Sequence, residues 1–175
     1  GTGTLLAADM RGRAKGRWID GAVASMLLSN RAAADCLQRF GAKACTDVTG
    51  FGLLGHLLEM ARASQVDVQL YIDDLPLLDG AAATIKSGIV SSLQAENLRL
   101  RRAVRDLGDA GRHPHYALLF DPQTAGGLLA GIAADRAADC IAALREIGYA
   151  GAVVVGNVMP AAGAEASVSV ATGRT

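Results

Sequence analysis

Aromatic residues are scarce: one Trp, three Tyr and three Phe make up 4% of the chain. A core must therefore be filled mainly by aliphatic side chains and alanine. Cysteine is scarce too. Cys36, Cys45 and Cys140 lie far apart with no CxxC spacing. That excludes a disulfide-stapled scaffold, and the odd number fits a reducing compartment. Neither sign of charge is in excess, since 17 Lys and Arg balance 17 Asp and Glu. General nucleic-acid binders carry a basic excess or a basic face, so no direct nucleic-acid contact is expected. No apolar run approaches the ~20 residues that span a bilayer. No basic region precedes the short apolar run near the start, as a signal peptide requires. The expectation is a cytoplasmic protein without a membrane segment.

What is present is an apolar, glycine-rich chain of 175 residues, 51% hydrophobic and 19% charged, with 21 Gly. Such a composition is too apolar and too neutral for disorder. The length suits one domain, which buries roughly 68–70% of the surface its unfolded form exposes. The sequence does not begin with Met, and residues 4–8 read as a strand entered from an upstream segment. The expectation is a piece of something longer.

Helical spacing is readable in residues 18–28, through Ile19, Ala22, Val23, Met26 and Leu27. Ser29 or Asn30 is placed to cap a second helix, with Ala33, Cys36, Leu37 and Phe40 on one face and Gly41 as its stop. A third helix is expected over 51–63, striped by Leu54, Leu57, Leu58 and Ala61. A fourth is expected over 135–147, and a shorter one follows Pro76 with Leu78, Ala82 and Ile85 inward. Strands are expected at 44–48, 66–72, 116–120, 128–133, 152–158 and 166–171. Interleaved helices and strands imply the α+β (mixed α/β) class, a mixed β-sheet with helices packed on its faces. Residues 96–115 are the least regular part and carry Arg99, Arg101, Arg102, Arg105 and Arg112. A solvated segment is the plain reading there, and a phosphate-facing lid the sharper one.

One segment carries the most chemistry: Cys45-Thr46-Asp47-Val48-Thr49-Gly50-Phe51-Gly52-Leu53-Leu54-Gly55-His56. It is a strand that ends, a turn, and the start of a helix. Gly50 and Gly52 allow a tight turn and close approach of a ligand. Amides at a helix N-terminus favour phosphate. A carboxylate beside a phosphate repels it unless a cation lies between, so Asp47 in this turn suggests a Mg²⁺–phosphate site. The plainer alternative is that Asp47 or Thr49 caps the helix and the glycines only make the turn. His56 is expected to be structural. No GxxxxGK[ST] loop occurs in the chain.

The second segment is Phe120-Asp121-Pro122-Gln123-Thr124-Ala125-Gly126-Gly127-Leu128-Leu129. It reads as an apolar strand, a Pro-led turn, two glycines and another apolar strand. Either it merely connects strands, or Gln123 and Thr124 line a ligand cleft.

Together these two segments resemble the selenophosphate synthetase (selenide, water dikinase) family. The first matches the family's signature. The second matches its next block, where the family often has Ser at the position of Ala125. Gly1-Thr2-Gly3-Thr4, Lys15-Gly16-Arg17-Trp18-Ile19-Asp20, Leu75-Pro76-Leu77-Leu78 and Val154-Val155-Gly156-Asn157-Val158 fit as well. The resemblance implies the C-terminal α/β domain of a two-domain enzyme, related to aminoimidazole ribonucleotide synthetase, with residues 1–175 as that single domain. It implies that an N-terminal domain supplies the nucleophilic Cys or selenocysteine, a Lys, further Mg²⁺-binding aspartates and most of a homodimer contact. The whole enzyme converts ATP, selenide and water to selenophosphate, phosphate and AMP. By resemblance Asp47 is a Mg²⁺ ligand. Thr46, Thr49, Gly50 and Gly52 shape the ATP loop, and Gln123, Thr124 and Gly126 line the same cleft. No catalytic residue lies in this chain, and the three cysteines are expected to be packing residues. Another ATP-using enzyme of the superfamily (in purine synthesis, hydrogenase maturation or thiamine phosphate phosphorylation) and a non-catalytic folding or dimerisation module stand as alternatives.

Overall fold

Segments with helical and strand spacing alternate along the chain, and the computed structural model keeps that alternation; it describes residues 1–106 and 108–173. Three helices come first: α1 (Thr2–Asp9), α2 (Gly16–Leu27) and α3 (Arg31–Arg39). Then follow β1 (Ala44–Asp47), α4 (Gly52–Ser64), β2 (Val66–Tyr71), α5 (Ala81–Lys86), α6 (Gln94–Asn97) and β3 (Val104–Asp106). The last part holds β4 (Leu128–Gly131), α7 (Ala137–Glu146), β5 (Gly156–Pro160) and β6 (Val168–Ala171). Single 3-10 turns link several of these.

Four strands form one mixed sheet in the order β3-β6-β2-β5. β3, β6 and β2 run parallel, and β5 is antiparallel to β2. The central strands bring Val68, Leu70, Val168 and Val170 to the core, and α4 lays Leu54, Leu57, Leu58 and Ala61 against them. Each such leucine contributes roughly 1.5–3 kcal/mol of transfer free energy. Gln65 ends α4 in the left-handed region, at φ 52°, a common helix stop. β1 and β4 make a separate antiparallel ribbon. A second core joins α3 to α7 through Ala33, Cys36, Leu37, Cys140 and Leu144, and β4 packs on it through Leu128 and Ala130. A third packs Leu5, Ala22, Ala81 and Leu118, with Trp18 beside them.

Three expectations need correction. Residues 4–8 are not a strand but the body of α1. Leu5, Leu6, Ala7 and Ala8 are strong helix formers; Thr2, Thr4, Leu5 and Ala8 are buried, the threonines bonded to Gln123 and Asp121 and Leu5 packed with Ala22, Ala81 and Leu118. Residues 116–120 form a 3-10 helix rather than a strand. Tyr116, Leu118, Leu119 and Phe120 are all buried, and an apolar run without periodicity does not distinguish the two. The strand expected at 152–158 begins only at Gly156, where its carbon comes so close to the Gln69 carbonyl oxygen that a Cβ would collide with it. The irregular region also holds a strand that its polar sequence hides. β3 pairs with β6 through Val104↔Val168, Arg105↔Ser169 and Asp106↔Val170, so its partner is far away in sequence. Leu107 lies outside the described residues.

Candidate functional site

The ribbon places the two motifs side by side. The first motif leaves β1 where the second enters β4, with Thr46 opposite Leu129 and Asp47 opposite Leu128. The pairing continues beyond the strands. The Val48 N–H donates to the Gly127 carbonyl at 2.9 Å, and the Gln123 N–H donates to the Thr49 carbonyl at 3.0 Å. Gly126 is forced by this approach, because a Cβ there would strike the Val48 carbonyl oxygen. The Gly126 carbonyl accepts from Asn30 Nδ2 at 2.9 Å.

The two glycines of the first turn differ. Gly52 has φ +69°, and a Cβ on it would lie 2.9 Å from the Phe120 carbonyl carbon and 3.1 Å from the Asp121 oxygen. It brings the start of α4 against the second motif. Gly50 lies in open space, with nothing within 4 Å of a would-be Cβ. The turn itself therefore does not require glycine at residue 50.

Thr49 sits at the centre of the turn. Its carbonyl accepts the Gly52 N–H at 3.0 Å. Its N–H donates to His56 Nε2 at 3.0 Å, and its hydroxyl lies 3.1 Å from the same nitrogen. His56 is buried and its ring packs on Phe51 at 5.6 Å between centroids. Its bonds to Thr49 and its packing on Phe51 occupy it within the turn. Asn97, on α6, is the functional candidate that spacing did not disclose. Its Nδ2 donates to the Gly50 carbonyl at 2.8 Å and to the Phe120 carbonyl at 3.0 Å. A single polar residue in an arginine-rich stretch carries no periodic signal.

Asp47 and Cys45 share the exposed face of β1, and Thr46 points to the other. The Thr46 hydroxyl donates to the Asp47 main-chain carbonyl at 3.2 Å. Among the described residues no hydrogen bond or ion pair engages the Asp47 carboxylate. What shielding Cys45 has, and then the neighbouring Asp47 carboxylate, push its thiol up from the usual value. A thiol held protonated is a poor nucleophile; Cys45 is nevertheless exposed rather than the packing residue expected, because it lies on the outward face of β1.

Gln123 and Thr124 turn toward the N-terminal segment. Gln123 Oε1 accepts from the Gly1 nitrogen at 2.9 Å and from the Thr2 N–H and hydroxyl, each at 3.2 Å. Its Nε2 donates to the main-chain and side-chain oxygens of Asp121. The Thr124 N–H donates to the Thr2 hydroxyl at 2.8 Å. Asp121 is fully buried and accepts the Thr4 hydroxyl at 2.7 Å. The second motif thus holds the Gly-Thr-Gly-Thr segment with the same side chains that were expected to face a ligand.

Among the described residues no group of three or more His, Cys, Asp or Glu side chains is arranged to hold a metal ion. The described residues therefore offer no all-protein metal cage. One free carboxylate suits Mg²⁺, which keeps waters and substrate phosphates in its shell and takes only one or two carboxylates from a protein. No helix among the described residues is long and apolar enough to cross a membrane.

Residues 4–169 match the family of AIR synthase related proteins, over its C-terminal domain. The chain belongs to this family. Within it, the chain is similar to a selenide, water dikinase of Trichlorobacter lovleyi, 42% identical over 142 residues, which cover 81% of this chain and 40% of that protein. A selenide, water dikinase of Porphyromonas gingivalis is 39% identical over 151 residues, 85% of this chain and 42% of the relative. One from Clostridioides difficile is 32% identical over 161 residues, 91% and 46%. The chain thus spans less than half the length of these curated relatives. Membership in the AIR synthase related family agrees with the α+β class and with the mixed sheet covered by α4.

Proposed function

We propose that this chain is the C-terminal half of a selenide, water dikinase, and that its two motif turns form one side of a Mg²⁺-ATP site. In the whole protein the reaction converts ATP, selenide and water to selenophosphate, AMP and phosphate. The observation that carries this reading is Asp47, an exposed carboxylate without a hydrogen-bond or ion-pair partner among the described residues, beside two turns that are bonded to each other. The similarity to proteins named for this reaction supports it.

Asp47 would be the residue of this chain that holds Mg²⁺. When bound, the cation supplies charge neutralisation on the phosphates, where most of the catalysis of phosphoryl transfer originates. Thr46 supports Asp47 by bonding its main-chain carbonyl. Thr49, Gly50 and Gly52 shape the turn, and their bonded main-chain groups hold it in place beside Asp47. Gly126 lets the second turn approach the first, and Gln123 and Thr124 line the same cleft indirectly, by tying the N-terminal segment beneath it. The nucleophile, the remaining metal ligands and the homodimer contact belong to an N-terminal portion not included in this sequence. Residues 1–175 form one domain and are inactive alone.

The test uses the intact parent protein. Wild type should form AMP from ATP in a selenide-dependent reaction. Asp47→Asn should lower turnover by roughly 10²–10³-fold, the scale of losing one preorganised electrostatic group, while shifting stability by no more than about 0.5 kcal/mol. Wild-type turnover in that variant would remove Asp47 from the site. Turnover with another acceptor but not with selenide would assign the chain to a different branch of the family.

A further inference from the structure

α6 is only four residues long, yet two of its polar side chains are almost fully buried: Gln94 at 1% and Asn97 at 6% exposure. Burying a carboxamide is costly unless its hydrogen bonds are made. Gln94 Nε2 donates to the Ala117 carbonyl at 2.6 Å, within the 3-10 turn that leads into the second motif. Asn97 instead divides its two N–H groups between the motifs. One goes to Gly50, at the tip of the first, and one to Phe120, at the start of the second.

Neither acceptor has an easy substitute. Among the described residues no other hydrogen bond holds Gly50. Phe120 precedes Asp121 and Pro122, and proline has no N–H to offer. Leu100, three residues beyond Asn97, lies 3.2 Å from a Cβ built on Gly55 in α4. α6 and the turn after it therefore form a third wall against the first motif.

We infer that Asn97 is a positioning residue: it locks the Asp47 turn and the 120–127 segment into one relative geometry, and so sets how the Mg²⁺-nucleotide is met. This rests on the site proposed above. A carboxamide is suited to the task because its –NH₂ group carries two donors in a fixed plane. Aspartate has the same shape but, ionised, only accepts, and would face two carbonyl oxygens.

The experiment compares Asn97→Ala and Asn97→Asp with Asn157→Ala in the intact parent protein. Asn157 is a distant control that bonds the Tyr71 hydroxyl at 3.0 Å. The first readout is amide hydrogen exchange without ligand. Both Asn97 variants should speed exchange of the Gly52 and Gln123 amides, which both donate to Thr49, and leave the β2 amides unchanged. The second readout is steady-state kinetics. kcat/KM for Mg²⁺-ATP should fall by roughly 10–100-fold, as expected for a small misplacement of the binding loop, with a rise in KM contributing. The Asn157 control should change neither.

Unchanged exchange at Gly52 and Gln123 overturns the clamp. Faster exchange there with unchanged Mg²⁺-ATP kinetics overturns the positioning role, leaving a purely structural residue. If exchange speeds up across the whole chain, Asn97 is a general fold determinant, and the inference fails in that way too. A wild-type parent with no Mg²⁺-ATP turnover at all removes the functional reading, and the Asn97 role in it, while the exchange data still decide whether the two turns are tied.

Discussion

The Thr49 N–H donates to Nε2 of His56 at 3.0 Å, so the first motif is bonded across its own turn, from the strand end to the first turns of α4. For Nε2 to accept, the ring proton must sit on Nδ1. The histidine at the end of the motif therefore serves its middle. Replacing His56 with Leu keeps the packing on Phe51 but strands a half-buried N–H. The expected cost is about 1–3 kcal/mol, read as a lower denaturant midpoint with an unchanged slope. Equal stability of His56→Leu and wild type would mean that water satisfies Thr49 and that the bond is incidental.

Gly52 and Gly50 should respond oppositely to alanine. At residue 52 the positive φ and the 2.9 Å approach to Phe120 both oppose a Cβ. Gly52→Ala should destabilise by at least about 2 kcal/mol, through overpacking and backbone strain. At residue 50 there is space and no positive φ, so Gly50→Ala should be neutral or stabilising by up to about 1 kcal/mol, from reduced freedom of the unfolded chain. Chemical denaturation of the two variants checks this, and a matched loss in both would contradict the asymmetry.

Asp67 should contribute to the acid limb of stability. Its carboxylate accepts the Ala162 N–H at 2.9 Å and the Ser167 N–H and hydroxyl at 2.7 and 2.8 Å. The Ala162 amide first, and then Ser167, hold it below the usual carboxylate range. A group depressed in the folded state stabilises fully above its unfolded value, near 3.9. That contribution is lost as pH falls through the lower folded value. Asp67→Asn should therefore be less stable than wild type at neutral pH, with the difference shrinking between about pH 5 and pH 2. A difference that stays constant over that range would show that Asp67 is not the titrating group.

The thiols should separate by exposure. Cys36 and Cys140 are buried against each other in the α3–α7 core, and burial, then Cys36, raises the Cys140 thiol. Cys45 is exposed but also raised. Iodoacetamide on the native protein should modify Cys45 alone. Its rate should keep climbing above the ordinary thiol value of about 8.5, since the thiolate is the reactive form. Fast labelling at neutral pH would mean an activated thiol and a role in chemistry.

Much of the fold was legible locally. α4 and its stripe, α3 with Gly41 after it, β1 and β2 all follow from apolar spacing and stop signals within their own segments. The elements that escaped are those whose conformation depends on a distant partner. β3 exists because β6 pairs with it. The 3-10 turn Tyr116–Phe120 is buried on nearly every side, so no face is marked by polar residues. α1 was hidden because its two threonines, poor in a helix by propensity, are spent on Gln123 and Asp121. The site shows the same division. Asp47 and Gly52 stand out in their motif, whereas Asn97 carries no mark in a stretch of arginines.

The sequence by itself determined the α+β class, the two glycine-bearing motifs and the family to which they belong, because each is written in neighbouring residues. Only the tertiary structure decided that the motifs touch, that Gln123 binds the N-terminal segment, and that, among the described residues, the Asp47 carboxylate has no partner while Thr49 and Asn97 are committed. Those outcomes depend on which buried donors and acceptors meet. An unsatisfied polar group in the interior costs too much to persist, and its partner is chosen by the chain's path in space rather than by spacing along it.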